Sequence, residues 1–159
     1  MSAENVEVVR RLFEASARGD AEAVLALYHE DVTWDASRTQ PGLGEFAGVY
    51  RGHEGLRRFF REWRGSFADD EYRYEELIDA GGETVVGHVT QQALGRSSGA
   101  PVTRPLAGVF TVRDGKIAAA DWFLTLEEAL DAVSPSGSPR RSAGAEAGSR
   151  EDLRGRRER

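Results

Sequence analysis

One change of rhythm limits what this chain can fold into. Up to Phe67 the apolar residues recur at helical spacing, and beyond Asp69-Asp70 they alternate as strand residues do. Val6, Val9, Phe13 and Ala17 share one face of a first helix with Leu12 beside them; Ser2 is placed to cap it and Gly19 to stop it. Asp20 caps a second helix over Ala21–Tyr28, and Val32-Thr33-Trp34 reads as a short strand. Residues 36–50 read as a loop, with Gly42, Gly44 and Gly48 suited to a lid. Gly52 and His53 open a third helix, His53 at its N-cap, with Leu56, Phe59, Phe60, Trp63 and Phe67 on one strongly apolar face.

Four strands follow: Tyr72–Ala80, Glu83–Arg96, Val102–Arg113 and Lys116–Leu124. Gly81-Gly82, Ser97–Ala100 and Asp114-Gly115 supply the turns between them. Thr125-Leu126-Glu127-Glu128 is a capping box that starts a short last helix, running to about Val133. Helices first and strands after predict an α+β fold with the helices on one face of an antiparallel sheet.

Charge divides the chain further. Residues 134–159 hold seven arginines, four acids and one large aliphatic residue, Leu153, a net +3. With −6 for all 159 residues, residues 1–133 stand at −9. The expected organisation is one domain over 1–133 and a disordered tail over 134–159, since the tail has almost nothing to bury. An acidic domain argues against nucleic acid as a partner. The absence of cysteine excludes thiolate chemistry and cysteine-ligated metals. His29, His53 and His88 are scattered, so no metal is expected. Without a basic and apolar leader or a long apolar run, the chain reads as cytoplasmic, with no membrane partner.

Particular residues resemble the nuclear transport factor 2-like superfamily in its SnoaL-like branch. They are Glu4-Asn5-Val6 with Arg11-Leu12-Phe13, Arg18-Gly19-Asp20 with Ala23, and Tyr28 through Trp34. Tyr50 through Leu56 with Phe59, Arg113 through Ile117, and Glu127 through Leu130 extend the match over about residues 3–133. The resemblance implies a cone: a strongly curved antiparallel sheet wrapped around three N-terminal helices, with an internal pocket and a homodimer through the sheet. Its members include ketosteroid isomerases, polyketide cyclases and limonene epoxide hydrolases. The isomerase base, tyrosine and acid fall here on Ala36, Leu12 and Gly108, which cannot exchange a proton. The hydrolase set falls on Gln91, Val89, Trp122, Trp34 and Ala36, again without acid or base.

Strand alternation turns Val85, Gly87, Val89, Gln91 and Ala93 inward, and Arg104, Leu106, Gly108 and Phe110 with them. Pairing through Ser97–Ala100 sets Gln91 near Leu106 and Arg104 near Ala93. The expected pocket is therefore Trp34, Phe60, Trp63, Gln91, Arg104, Leu106, Phe110 and Trp122. It suits a small apolar molecule carrying a carbonyl or carboxylate, with no cofactor. The last strand leaves a choice. A two-residue Asp114-Gly115 turn sends Asp121 inward as a general base; a bulge at Gly115 sends Trp122 inward instead. An enzymatic alternative, an isomerase, cyclase or dehydratase, would use Asp121 or Asp35 with Arg104 as oxyanion donor. A third reading is a protein-interaction module.

Overall fold

The computed structural model describes residues 2–39 and 48–134. Helix α1 spans Ser2–Ala17 and α2 spans Ala21–Ala26. Gly19, in the left-handed region at φ +72°, ends α1, and the Asp20 carboxylate caps α2 by accepting from the Ala23 amide at 3.1 Å. Tyr28 does not close this second helix, as its spacing suggests; it opens strand β1, Tyr28–Asp35. A six-residue helix buries little by itself, and the sheet claims Tyr28 by pairing it with Ile117.

Within the stretch that reads as a loop lies a further strand, β2, Val49–Arg51, which sets Tyr50 opposite Trp34. Helix α3, Gly52–Ser66, follows at once with Arg51 at its N-cap. His53 is therefore not the cap; its Nε2 donates to the Tyr28 carbonyl at 2.9 Å and ties the helix start to β1. Gly52 is required at φ +69°, because a Cβ there would sit 3.0 Å from the Glu30 carbonyl.

Strands β3 (Phe67–Asp79), β4 (Thr84–Gly95), β5 (Pro101–Arg113) and β6 (Lys116–Phe123) complete the sheet before helix α4, Leu126–Val133. Phe67 thus leaves the helix assigned to it, yet it stays buried and stacks on Trp63 with centroids 4.2 Å apart. The Thr125 hydroxyl accepts from the Glu128 amide at 3.0 Å, so the capping box forms.

The sheet is six-stranded, curled and unclosed, in the order β2-β1-β6-β5-β4-β3. All neighbours are antiparallel except β1 and β6, which run parallel. Val85, Val89, Leu106 and Phe110 face α1 and α3 in the main core. Val86, Ala107 and Val109 face the other way and meet Ala129 of α4. The helices therefore do not all pack on one face, because α4 covers part of the outer surface.

Two registers differ from the sequence reading. Gln91 lies directly opposite Arg104 and Val89 opposite Leu106, two residues away from the expected pairing. The shift preserves which side chains face inward, since the strand period is two. In the β5–β6 hairpin Asp114 and Gly115 take φ of 55° and 78° and pair Arg113 with Lys116, so no bulge forms there. The extra residue is Ala118, between the pairs Val112–Ile117 and Thr111–Ala119. That bulge changes the parity of β6 and buries Ala120 and Trp122.

Gly108 shows how closely the inner face is filled. A Cβ there would lie 2.8 Å from the Phe110 ring and 3.1 Å from Trp122. Gly108→Ala is expected to destabilise the fold by about 1–3 kcal/mol through overpacking, read as a lower urea midpoint at unchanged slope.

Candidate functional site

Between α1, the α1–α2 turn, α3 and the inner face of the sheet lies a cavity of about 210 Å³. Its wall is mainly aromatic: Phe13, Tyr28, Trp34, Phe59, Phe60, Trp63, Tyr72 and Trp122. Helical spacing in α3 aims Phe59, Phe60 and Trp63 at β1, where Trp34 meets Phe59 with centroids 4.6 Å apart. Trp122 reaches the wall through the Ala118 bulge and stands 6.0 Å from both Trp34 and Tyr72. Its Nε1 is buried and has no hydrogen-bond partner among the described residues. Asp20 and Arg64 also line the cavity and are both exposed at its rim.

The polar side of the cavity is Asp70 with Tyr72 on β3. A second bulge places them. Ala68 pairs with Leu94 and Glu71 with Gln92, so Asp69 and Asp70 together oppose Ala93. Asp69 takes φ 52°, a left-handed backbone that aspartate tolerates better than most residues. This bulge turns Asp70 and Tyr72 toward the cavity.

Behind them is Gln91, fully buried, and behind it Arg104. Arg104 Nε donates to Gln91 Oε1 at 2.8 Å, and its Nη1 donates to the Thr39 carbonyl at 2.7 Å. A guanidinium only donates, so the amide oxygen of Gln91 must face it and the amide nitrogen must face β3. That nitrogen donates to Tyr72 Oη at 2.9 Å and to Asp70 Oδ1 at 3.3 Å. Because Tyr72 Oη accepts from Gln91, its own proton is left to donate toward Asp70 or into the cavity.

Asp70 keeps exposed surface as a residue, and partial desolvation of its carboxyl pushes it above the usual carboxylate range, against hydrogen bonds from Gln91 and Trp63 and the charge of Arg104. Burial raises Tyr72 and Tyr28 strongly, so both hydroxyls keep their protons. Burial also lowers Arg104, against the pull of Tyr72 and Asp70.

Of the residues singled out by sequence, Trp34, Phe60, Trp63 and Trp122 line this cavity. Gln91 and Arg104 stand one layer back, and Leu106 and Phe110 lie in the core without lining it. Asp35 and Asp121 are register partners on β1 and β6 and do not line the cavity. Burial works to raise Asp35, but the Ser37 hydroxyl and amide and the charge of Arg38 outweigh it, and the carboxyl is held low. Asp121 is raised by burial and by the charge of Asp35, against Arg38. Asp70 and Tyr72 were missed. Asp69-Asp70 reads as a break between helix and strand, and the only signal there is an aspartate able to take a left-handed backbone.

The sequence profile of the SnoaL-like domain matches residues 9–120. The chain belongs to the SnoaL-like family. Among solved structures it is similar to an NTF2-like protein of unknown function from Burkholderia pseudomallei K96243, with TM-score 0.68 and 23% identity over 82% of this chain and 98% of that one. TerC, co-crystallised with polyporic acid, gives TM-score 0.67 and 22% identity over 82% and 98%. An NTF2-like protein from Burkholderia thailandensis E264 gives 0.65 and 25% over 82% and 98%. No curated protein matches the sequence. Among the described residues no group of His, Cys, Asp and Glu could hold a metal, and no helix is long and apolar enough to cross a membrane.

The raised Asp70 carboxyl makes a signed prediction. The folded chain keeps this proton to higher pH than the unfolded chain, so its contribution is fully present below the ordinary aspartate pKa of about 3.9 and fades as pH rises through the folded value. Asp70→Asn is therefore expected to gain stability relative to the parent between pH 4 and pH 7, measured by urea denaturation at several pH values.

Proposed function

We propose that this chain binds a small, predominantly apolar molecule inside the aromatic cavity, with one polar group set against Asp70 and Tyr72. The observation that carries this is the composition of the wall: rings from both the sheet and the helices, and on β3 a polar edge whose donors and acceptors are held in place by Gln91 and Arg104. A cavity of roughly 150 Å³ accommodates a benzene ring, so 210 Å³ suits one ring or a compact branched group with a few substituents. A carbonyl or hydroxyl would find the Tyr72 hydroxyl. A ligand carboxylate finds less support, because Arg104 lies behind Gln91 and a carboxyl lines the wall.

Acid–base turnover of the same molecule is the second reading, an isomerase, cyclase or dehydratase. It is favoured by the carboxyl of Asp70 beside a hydroxyl that keeps its proton. In this reading the proton-exchanging role passes from Asp121 or Asp35 to Asp70, and the donor role passes from Arg104 to Tyr72. The remaining alternative is a protein-interaction module in which the arginine-rich tail, residues 134–159, or the sheet recruits a partner; residues 135–159 lie outside the described residues.

The chain's three tryptophans all line the cavity, so their indole signals report on this site alone. Protein purified under native conditions from its natural host is expected to release a small molecule on denaturation in mass spectrometry. Returning that molecule should shift the indole N–H resonances. Ser16→Phe, which fills the cavity from α1, should abolish both signals at unchanged thermal stability. Indole resonances indifferent to the released molecule would overturn the reading.

We also propose a homodimer through the outer face of the sheet, where α4 leaves the half-buried His88, Thr90 and Gln92 uncovered. Light scattering is expected to give the mass of two chains, and Thr90→Arg with Gln92→Arg the mass of one.

A further inference from the structure

The rings of the cavity supply apolar contact without choosing a ligand, and the group that chooses is the carboxyl of Asp70. Asp70 lines the cavity, and among the described residues no guanidinium or ammonium is recorded within salt-bridge distance of it. Arg104 is separated from it by Gln91, which takes the Arg104 Nε on one side and donates to Asp70 on the other. Arg64 is the basic residue that lines the cavity, and it lies exposed at the rim, as does the acidic Asp20. Asp70 keeps exposed surface where it lines the cavity, and a carboxylate there, beside aromatic walls, attracts a cation. The walls point to the same partner. Aromatic rings carry negative charge on their faces, so a pocket of tryptophans and phenylalanines attracts a soft organic cation and repels an anion. Trp122 adds one further demand: its buried Nε1–H has no acceptor among the described residues, and an oxygen on the occupant would supply it.

Resting on the reading that the cavity holds a small molecule, we propose that its occupant is a small organic ammonium. Its alkyl groups lie among Trp34, Phe60 and Trp122, its charge lies against the Asp70 carboxylate, and it carries an oxygen that accepts from Trp122. Gln91 and Arg104 are positioning residues for this contact. They hold Asp70 and Tyr72 in place and do not touch the ligand. The size agrees, since a trimethylammonium group with a two-carbon alcohol occupies less than 210 Å³.

Choline and its uncharged carbon isostere 3,3-dimethylbutan-1-ol have the same shape and the same hydroxyl, so comparing them isolates the charge. Titration of each into the full chain, followed through the indole N–H resonances of Trp34, Trp63 and Trp122, is expected to show choline binding at least tenfold more tightly. Asp70→Asn should bring the two within about twofold of each other while leaving the isostere's affinity in place. The spread of the indole resonances checks that the variant is folded. Should Asp70→Asn fail that check, Tyr72→Phe, which keeps the carboxylate, should retain the tenfold preference. Equal binding of both compounds to the parent chain, or a preference that survives Asp70→Asn, would overturn the ammonium assignment. If neither compound moves an indole resonance but phenol does, the ammonium assignment falls and the apolar cavity reading stands. If phenol also leaves every indole unmoved, both readings fall.

Discussion

A glutamine with no exposed surface is stable only if every polar atom of its amide is satisfied, and the contact between Arg104 and Gln91 decides how that is done here. The guanidinium fixes the amide's orientation, and the amide in turn aligns Tyr72 and Asp70 on the next strand. Three strands are thereby joined through side chains as well as through the backbone ladder. Arg104 also anchors Thr39, so the turn after β1 is tied to the same chain of contacts. Reversing the amide would place its nitrogen against Arg104 and leave Tyr72 and Asp70 facing an acceptor. Leaving such a group unsatisfied costs about 1–3 kcal/mol, a large part of a domain's stability, so one arrangement dominates.

What the sequence makes legible here is chemistry completed within a few residues. Asp114-Gly115 forms its turn, Thr125 caps its helix, and Gly19-Asp20 separates two helices because each depends only on nearby backbone. Alternation along β4 turns Gln91 inward for the same reason. Register across a turn is a different matter. The loop from Gly95 to Ala100 closes with a Gly95 amide to Ala100 carbonyl bond, and nothing local announces that two-residue shift. Strand β2 is three residues long, too short for any periodicity to show, and exists because Trp34 and Tyr50 pack together.

The site itself was half legible. The aromatic part was visible because Trp34, Phe60 and Trp63 follow helix and strand spacing. The polar part depends on bulges, which are tertiary adjustments to the curl of the sheet. One at Ala118 brings Trp122 inward and leaves Asp121 off the lining; another at Asp69-Asp70 brings in a carboxyl that looks like part of a loop. A single inserted residue thus decides which of two neighbouring side chains reaches the cavity wall. The same devices let a fold keep its framework while its chemistry is relocated.

The parallel pairing of β1 with β6 has a consequence for how the chain comes to be folded. Residues 28–35 find their partners only at 117–121, so the N-terminal strand waits for nearly the whole domain to be synthesised. Until then β1 has only β2 beside it and an open edge on its other side. Contacts of such sequence separation slow folding. An unpaired β1 edge carrying Val32 and Trp34 is also the segment of the nascent chain most exposed to wrong pairing. The last strand to leave the ribosome is therefore the one that completes the first.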